Sequence, residues 1–502
     1  MFSDQSFGLE VLGWLATVFI FVIGILILFL IGVYIADVTQ TKQAIRRNYP
    51  VIGHFRYYFE HIGTFFRQYF FTMDREEMPF NRAQRSWVYR AAKDIQNTVA
   101  FGSTRDLKAS GTLLFVNTAF PTLGKDAVEP LPVVIGENSA DKPFTAHSFF
   151  NISGMSYGAI SKPAVQALSY GAKKANAWMN TGEGGLSPFH LEGGADIVFQ
   201  IGTAKYGVRD EEGNLSDERL REVAAHETVR MFEIKMSQGA KPGKGGILPA
   251  AKVGEEIAKI RSIPIGTDSI SPNRHPEIET NDDLIDMINH IRKVTGKPVG
   301  FKAVLGDKIW LREFMAAVNS RGKEFAPDFI TIDSADGGSG AAPMSLIDYV
   351  GMPLSESLPL AIDTINEAGL RDRIKVISSG KLINPAEVAW ALCVGADFIT
   401  SARGFMFSLG CIQALQCHEN TCPTGITTHN KKLQRGLVAE QKSSRVHNYI
   451  KNITYEVGVI AHSCGVKTPC ELTRRHARIV QGNGTSTMLA DIYPDVKATD
   501  QL

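Results

Sequence analysis

Several scarcities bound this chain before any motif is read. Six cysteines in 502 residues make no paired framework of the secreted kind, so the main body belongs in a reducing compartment. Basic and acidic residues nearly cancel, 53 against 52 for a formal charge of +1, which excludes bulk attraction to nucleic acid. No Gly-x-Gly-x-x-Gly opens a helix after the first strand, so no Rossmann nucleotide domain is indicated. No fixed-period repeat or low-complexity segment stands out. At 44% hydrophobic content, the length suits one large domain with a smaller appendage.

One apolar run is present and it is long. From Val11 to Ala36 no residue is charged, and at about 1.5 Å per residue the run reaches roughly 39 Å, enough to cross a bilayer core. Asp4 and Glu10 stand where a cleaved signal peptide would be basic, so residues 11–36 are expected to be a transmembrane helix. Lys42, Arg46 and Arg47 follow it and no Lys or Arg precedes it. That asymmetry places residues 1–10 outside the cell membrane and the catalytic part in the cytoplasm. Residues 37–109 form a juxtamembrane aromatic and basic segment with a polar connector. Its rings suit either the headgroup zone or packing on the following domain.

Beyond about residue 110, short apolar strands alternate with amphipathic stretches, expected strand ends being Ser153, Asn180, Gln200, Met236, Ala303, Asp333, Ser378 and Thr400. Helices are expected at Lys162–Lys174, Glu255–Arg261, Asp282–Val294 and Pro385–Leu392. Eight such units predict an α/β fold, a closed (β/α)₈ TIM barrel over residues 110–480, with a tail at 481–502. Chemistry then belongs at the C-terminal strand ends. The glycine-rich clusters gather there: Gly154–Gly158, Asn180–Gly185, Lys241–Gly246, Asp336–Gly340, Ser379–Lys381 and Ala402–Gly404. The last two read as a phosphate site, with Gly380 and Gly404 allowing close backbone approach and Lys381 or Arg403 adding charge. Lys302 is a charge inside an apolar strand. Glu183, Lys241 and Arg261 make a plausible dicarboxylate-binding set.

Half of the cysteines fall in the stretch Cys411, Cys417, Cys422-Pro423. Thiolates select iron–sulfur clusters, zinc or copper, and the segment must loop if the three sulfurs are to meet. An iron–sulfur cluster, a zinc site completed by His418, and three plain thiols remain open on spacing alone.

The motifs GMSYGAIS (154–161), NTGEGG (180–185), KMSQGAKPGKGG (235–246), DGGSGAAP (336–343) and Cys411–Gly425 together resemble the synthase domain of glutamate synthases. The resemblance covers residues 110–480 in the family's order. It implies an FMN-binding barrel, a [3Fe–4S] cluster on Cys411, Cys417 and Cys422, and reduction of 2-iminoglutarate, formed from 2-oxoglutarate and ammonia, to L-glutamate. By motif position, Met155 and Ser156 would meet the flavin or substrate, and Gln200 and Lys302 the isoalloxazine edge. Gly337, Gly338, Ser379, Gly380, Arg403 and Gly404 would hold the phosphate. Glu183, Lys241, Arg261 and Ser156 would carry the 2-oxoglutarate chemistry. Electrons would come from an external donor such as ferredoxin. Ammonia would be free or supplied by a partner, because the family's amidotransferase domain has no counterpart here, nor has its C-terminal structural domain or a pyridine-nucleotide module.

Two departures matter. Ile247 stands where the family commonly has a glutamine touching the keto acid, and Lys244 reverses a charge. Losing an amide donor in a pocket that pairs polar groups changes substrate choice. An amine-transfer enzyme resembling the synthase-like subunit of N-methylglutamate synthase is therefore the alternative. A non-catalytic, membrane-tethered electron relay ranks behind both.

Overall fold

The computed structural model describes residues 3–498; residues 1–2 of the expected external stretch and 499–502 of the expected tail lie outside the described residues. The chain forms two compact units, residues 1–83 and 84–502.

In the first unit a helix α1 (Ser3–Thr39) carries the apolar run, and residues 7–39 are long and apolar enough to cross a membrane. It overruns the expected span at both ends because no proline or glycine-rich turn interrupts it there. After a short helix, Ala44–Asn48, comes α2 (Gly53–Phe66), which passes into a π-helical turn at Arg67–Phe71.

The second unit is built on eight parallel strands: β1 (Phe150–Ile152), β2 (Trp178–Asn180), β3 (Asp196–Ile201), β4 (Val229–Lys235), β5 (Val299–Val304), β6 (Phe329–Asp333), β7 (Lys375–Ser379) and β8 (Phe398–Ser401). They close into a barrel in sequence order, with β8 pairing β1. Every expected strand end falls within one residue of the observed one. The strands read as near-continuous apolar runs because helices cover their outer faces while side chains fill the interior.

Among the covering helices are α3 (Lys162–Lys174), α4 (Glu255–Arg261), α5 (Asn281–Thr295), α6 (Pro385–Val394), α7 (Arg403–Leu409) and α8 (Ala439–Ser463). Their ends follow local chemistry. Thr280 and Asp283 form a reciprocal capping box at the start of α5, and Gly296 ends it at φ +69°. Phe150, Phe405 and Tyr449 form a buried aromatic triad that joins β1, α7 and α8, with ring centroids 5.1 to 5.6 Å apart. Beside the barrel, Leu113–Phe115 pairs antiparallel with Ala477–Val480, which also pairs with Ser486–Met488.

Register sets which side chains share a layer. Gln200 lies opposite Glu233, and Lys302 lies opposite both Lys235 and Thr331. Glu233 and Lys235 are two residues apart on β4, so both belong to its inner face. An apolar strand that carries charge at this spacing delivers it to the barrel interior.

Candidate active site at the barrel mouth

Buried glutamate organises the floor of the mouth. Glu233 Oε1 accepts from Asn180 Nδ2 at 2.8 Å and Gln200 Nε2 at 2.6 Å, and Oε2 accepts from Thr331 Oγ1 at 2.6 Å. Both carboxylate oxygens are thus occupied, and the Gln200 amide is turned so that its N–H faces Glu233. Asn180 Oδ1 in turn accepts from Gly182 N at 2.9 Å, which fixes the loop leading to Glu183.

Two lysines rise from adjacent strands, each with its own anion. Lys302 is ion-paired to Asp333 at 3.0 Å, and Lys235 to Glu183 at 2.9 Å. Burial pulls Lys302 down, but Asp333 and Glu233 outweigh it and hold the ammonium above its ordinary range. Asp333 moves the other way, pushed up by burial and brought below the usual carboxylate range by Lys302 and two backbone N–H groups.

Above this floor lies an open pocket of about 530 Å³, the solvent at its mouth included, lined by Gln200, Lys235, Lys302, Gly338, Gly380 and Arg403, among others. Of the expected cofactor residues, Gln200, Lys302, Gly337, Gly338, Ser379, Gly380 and Arg403 all border it. Gly380 sits at φ +124° with its Cα against the Ser334 hydroxyl, where no side chain fits. A Cβ on Gly338 would lie 2.9 Å from Arg403 Nε. Burial lowers Arg403 to about 10 despite Asp333, Asp336 and Glu387, and lowers Lys381 beside it. The buried hydroxyls of Ser334 and Thr400 have no hydrogen-bond partner. Gly404 is placed differently: it is the second residue of α7, and its Cα packs against the Tyr449 hydroxyl.

Beside the cavity, Glu183, Lys241 and Arg261 form one electrostatic cluster. Burial alone would raise Glu183, but Lys235, Lys241 and Arg261 hold it below the usual carboxylate range. Burial brings Lys241 down to about 8, and its Nζ donates to Ala341 O at 3.2 Å. Arg261 donates from Nη1 to Ser269 Oγ at 2.9 Å, lies 5.1 Å over the Tyr206 ring, and leaves Nε without a partner. A Cβ on Gly184 would stand 2.8 Å from Ser156 Cβ and 2.9 Å from Arg261 Nη2, so Ser156 belongs to this cluster. Met155 packs against Gly182 at the same turn.

The cysteine stretch does not assemble in the same way. Its three thiols lie close enough for each charge to act on the others. Among the described residues, however, no group of three or more His, Cys, Asp or Glu is arranged to hold a metal ion. The expected three-sulfur centre on Cys411, Cys417 and Cys422 is not shown by this structure. Cys411 Sγ accepts from Gln413 N at 3.4 Å, and Cys422 Sγ bonds Thr424 Oγ1 at 3.4 Å. Burial raises Cys411 to about 12, while hydroxyl and backbone hydrogen bonds from Thr424 and Thr427 bring Cys422 below its usual value against the effect of burial. Lys252 Nζ ties the loop down, donating to Cys417 O at 2.6 Å and Thr427 O at 2.8 Å.

Sequence reasoning missed Glu233 and gave no role to Lys235 or Asp333. The signal was available, because Glu233 and Lys235 break an apolar strand as Lys302 does.

A parallel barrel with a charge-lined cavity at the C-terminal strand ends defines the class: a TIM-barrel protein with a candidate ligand site at the mouth. The family described as conserved region in glutamate synthase matches residues 105–467. The glutamate synthase large subunit-like protein YerD of Bacillus subtilis is 39% identical over 497 residues, covering 91% of this chain and 94% of that protein. An archaeal-type glutamate synthase (NADPH) of Thermotoga sp. is 32% identical over 334 residues, which span 66% of this chain and 62% of that protein. The solved structure of a mutant flavocytochrome b2 with benzoylformate covers 84% of this chain and 83% of its own at 12% identity and TM-score 0.47, too slight a likeness to argue from. The chain belongs to the glutamate synthase family and is an oxidoreductase of that type.

Proposed function

We propose that the mouth cavity binds FMN and that the chain reductively aminates 2-oxoglutarate to L-glutamate. The observation that carries this reading is the joint lining of one cavity by Gln200, Lys302, Gly338, Gly380 and Arg403, beside a cluster holding Lys241 and Arg261. The residues present fit the cofactor. Glycine surfaces that a Cβ would fill, buried hydroxyls without partners, and two buried cations, Lys381 and Arg403, suit a ribityl chain ending in phosphate.

Bound FMN supplies a hydride equivalent from its reduced ring to an imine carbon. Arg403 and Lys381 would hold the phosphate. Gln200, its N–H committed to Glu233, offers Oε1 as an acceptor for the ring N–H, and Lys302 would stabilise negative charge on the ring edge. Lys241 and Arg261 bind the two carboxylates of the keto acid and orient its carbonyl carbon. Glu183 Oε1 is taken by Lys235, leaving Oε2 to hold a proton of the substrate nitrogen. Electrons would come from an external protein such as ferredoxin, and ammonia would be free or passed from an amidotransferase partner.

The [3Fe–4S] cluster on Cys411, Cys417 and Cys422 is a separate proposal. It rests on the resemblance and the shared loop, and iron and acid-labile sulfide analysis of anaerobically purified protein tests it. No step above depends on it. We also read α1 as a single span of the cell membrane, N-terminus outside, because Lys42, Arg46 and Arg47 follow it. Protease protection of right-side-out and inverted vesicles checks that orientation.

Ile247, next to Gly246 whose Cα packs on Glu183, favours a second reading in which a substituted amine replaces ammonia. Chemically reduced holoenzyme given 2-oxoglutarate with ammonia or with methylamine separates the two. Glutamate from ammonia supports the first reading, N-methylglutamate alone supports the second, and neither product removes both.

A further inference from the structure

The stretch after α1 has a shape the catalytic reading does not use. At about 100° per residue, Phe55, Phe59, Phe66 and Phe70 fall within about 60° of one another around the helix axis, while Arg56, Glu60 and Arg67 lie on another side. Ring contacts follow these rows, with centroids 6.4 Å apart for Phe55–Phe59 and 5.5 Å for Phe66–Phe70. These rings are not covered: Phe59 is 60% and Phe70 68% exposed. A monomeric soluble surface rarely shows so continuous an apolar face.

Where this helix begins is fixed by one carboxylate. Asp37, near the end of α1, is fully buried. Its Oδ1 accepts from Arg46 Nε at 2.9 Å and hydrogen-bonds His54 Nε2 at 2.9 Å, and its Oδ2 accepts from Val51 N at 2.9 Å. Val51 and His54 flank the first residue of α2. The aromatic helix therefore starts within hydrogen-bond reach of the point where the apolar run stops.

We propose that α2 and the turn to Phe71 form an interfacial lipid-binding helix, its phenylalanine face seated at the acyl–headgroup boundary of the membrane that α1 crosses. Arg56 and Arg67 then stay on the wet side, where anionic headgroups attract them. Asp37 is the latch that keeps the helix at that depth. The inference rests on reading α1 as a span, and the experiment separates the two.

Full-length protein is reconstituted in phosphatidylcholine–phosphatidylglycerol vesicles carrying a diazirine-labelled acyl chain, irradiated and mapped by mass spectrometry. Label is expected on peptides from 7–39 and from 53–71. In the triple variant Phe59→Ser, Phe66→Ser, Phe70→Ser, label on 53–71 is lost and label on 7–39 is retained. Label on 7–39 without label on wild-type 53–71 overturns the interfacial helix and leaves the span standing. Absence of label on both overturns the two readings together. Unchanged labelling of 53–71 in the triple variant also contradicts the proposal, because the phenylalanine face would then not be what enters lipid.

Discussion

At the N-terminal end of the barrel, Asp328 is fully buried and accepts from Arg292 at 3.0 Å, Arg373 at 2.8 Å and Val299 N at 2.7 Å, with Ser139 Oγ as a fourth donor. The two guanidiniums also donate to Ala326 O at 2.6 and 2.9 Å. At the C-terminal end, Glu233, Asp333 and Glu183 likewise hold donors, yet Arg261 Nε and the hydroxyls of Ser334 and Thr400 remain without partners. Burial there pulls Lys241, Lys381 and Arg403 below their usual values, as it does Arg292 at the other end. At the bottom the Asp328 carboxylate is saturated by the protein itself. At the mouth these unpartnered donors stand beside the cavity, a capacity that the proposed anionic ligands would use. On the proposed reading one end serves stability and the other binding.

The comparison can be broken at its strongest point first. Asp328→Ala strands the buried Arg292 and the half-buried Arg373 guanidiniums and is expected to cost about 3–5 kcal/mol, read by urea unfolding, while FMN affinity per folded molecule stays the same. A loss of FMN affinity out of proportion to unfolding would erase the distinction between the ends.

Next is Lys302→Met, which removes the mouth's central cation but keeps its volume. It leaves Asp333 buried beside its two backbone donors and is expected to weaken FMN binding by about 2 kcal/mol. Reduction of the bound flavin should become more difficult, seen as a lowered potential in a dye-equilibration titration.

Glu233→Met is gentler for the flavin: it removes the acceptor that holds the Gln200 amide while keeping much of the side chain's volume. Releasing the Gln200 amide should cost about 1 kcal/mol in FMN affinity. The loss should be much smaller for 3-methyl-FMN, whose ring lacks the N–H that Gln200 Oε1 would accept. Equal losses for both flavins would count against that orienting role.

Affinity for 2-oxoglutarate should depend on pH through Lys241. Burial brings this lysine from its ordinary value to about 8. Its cation is therefore present below that pH and lost above it, and dianion binding should fall as pH rises through about 8. Lys241→Arg should abolish that fall, as followed by calorimetric titration of the holoenzyme. The smallest effect belongs to Ile247→Gln, expected to raise preference for 2-oxoglutarate with ammonia by about 1 kcal/mol in kcat/KM.

Legibility in the sequence tracked the range over which each signal acts. Strand ends and helices such as Lys162–Lys174 and Glu255–Arg261 were readable because period and capping are local. Lys302 was readable as a lone charge in an apolar strand, and Gly338, Gly380 and Arg403 as glycine-rich turns at successive strand ends. Glu233 was not, because its role depends on three partners from three other strands, which only barrel closure brings together. The cysteine stretch was readable as a soft-ligand candidate because its three thiols are near in sequence, but spacing left open whether they hold a cluster, zinc or nothing.

Flavin oxidation in a single turnover tests the central claim most directly. FMN-loaded protein reduced anaerobically by dithionite, freed of excess reductant and mixed with 2-oxoglutarate and ammonia should regain its oxidised flavin spectrum as one glutamate forms per flavin. Reduced flavin that stays bleached in that mixture, with no amino acid formed, would contradict the account of the barrel mouth.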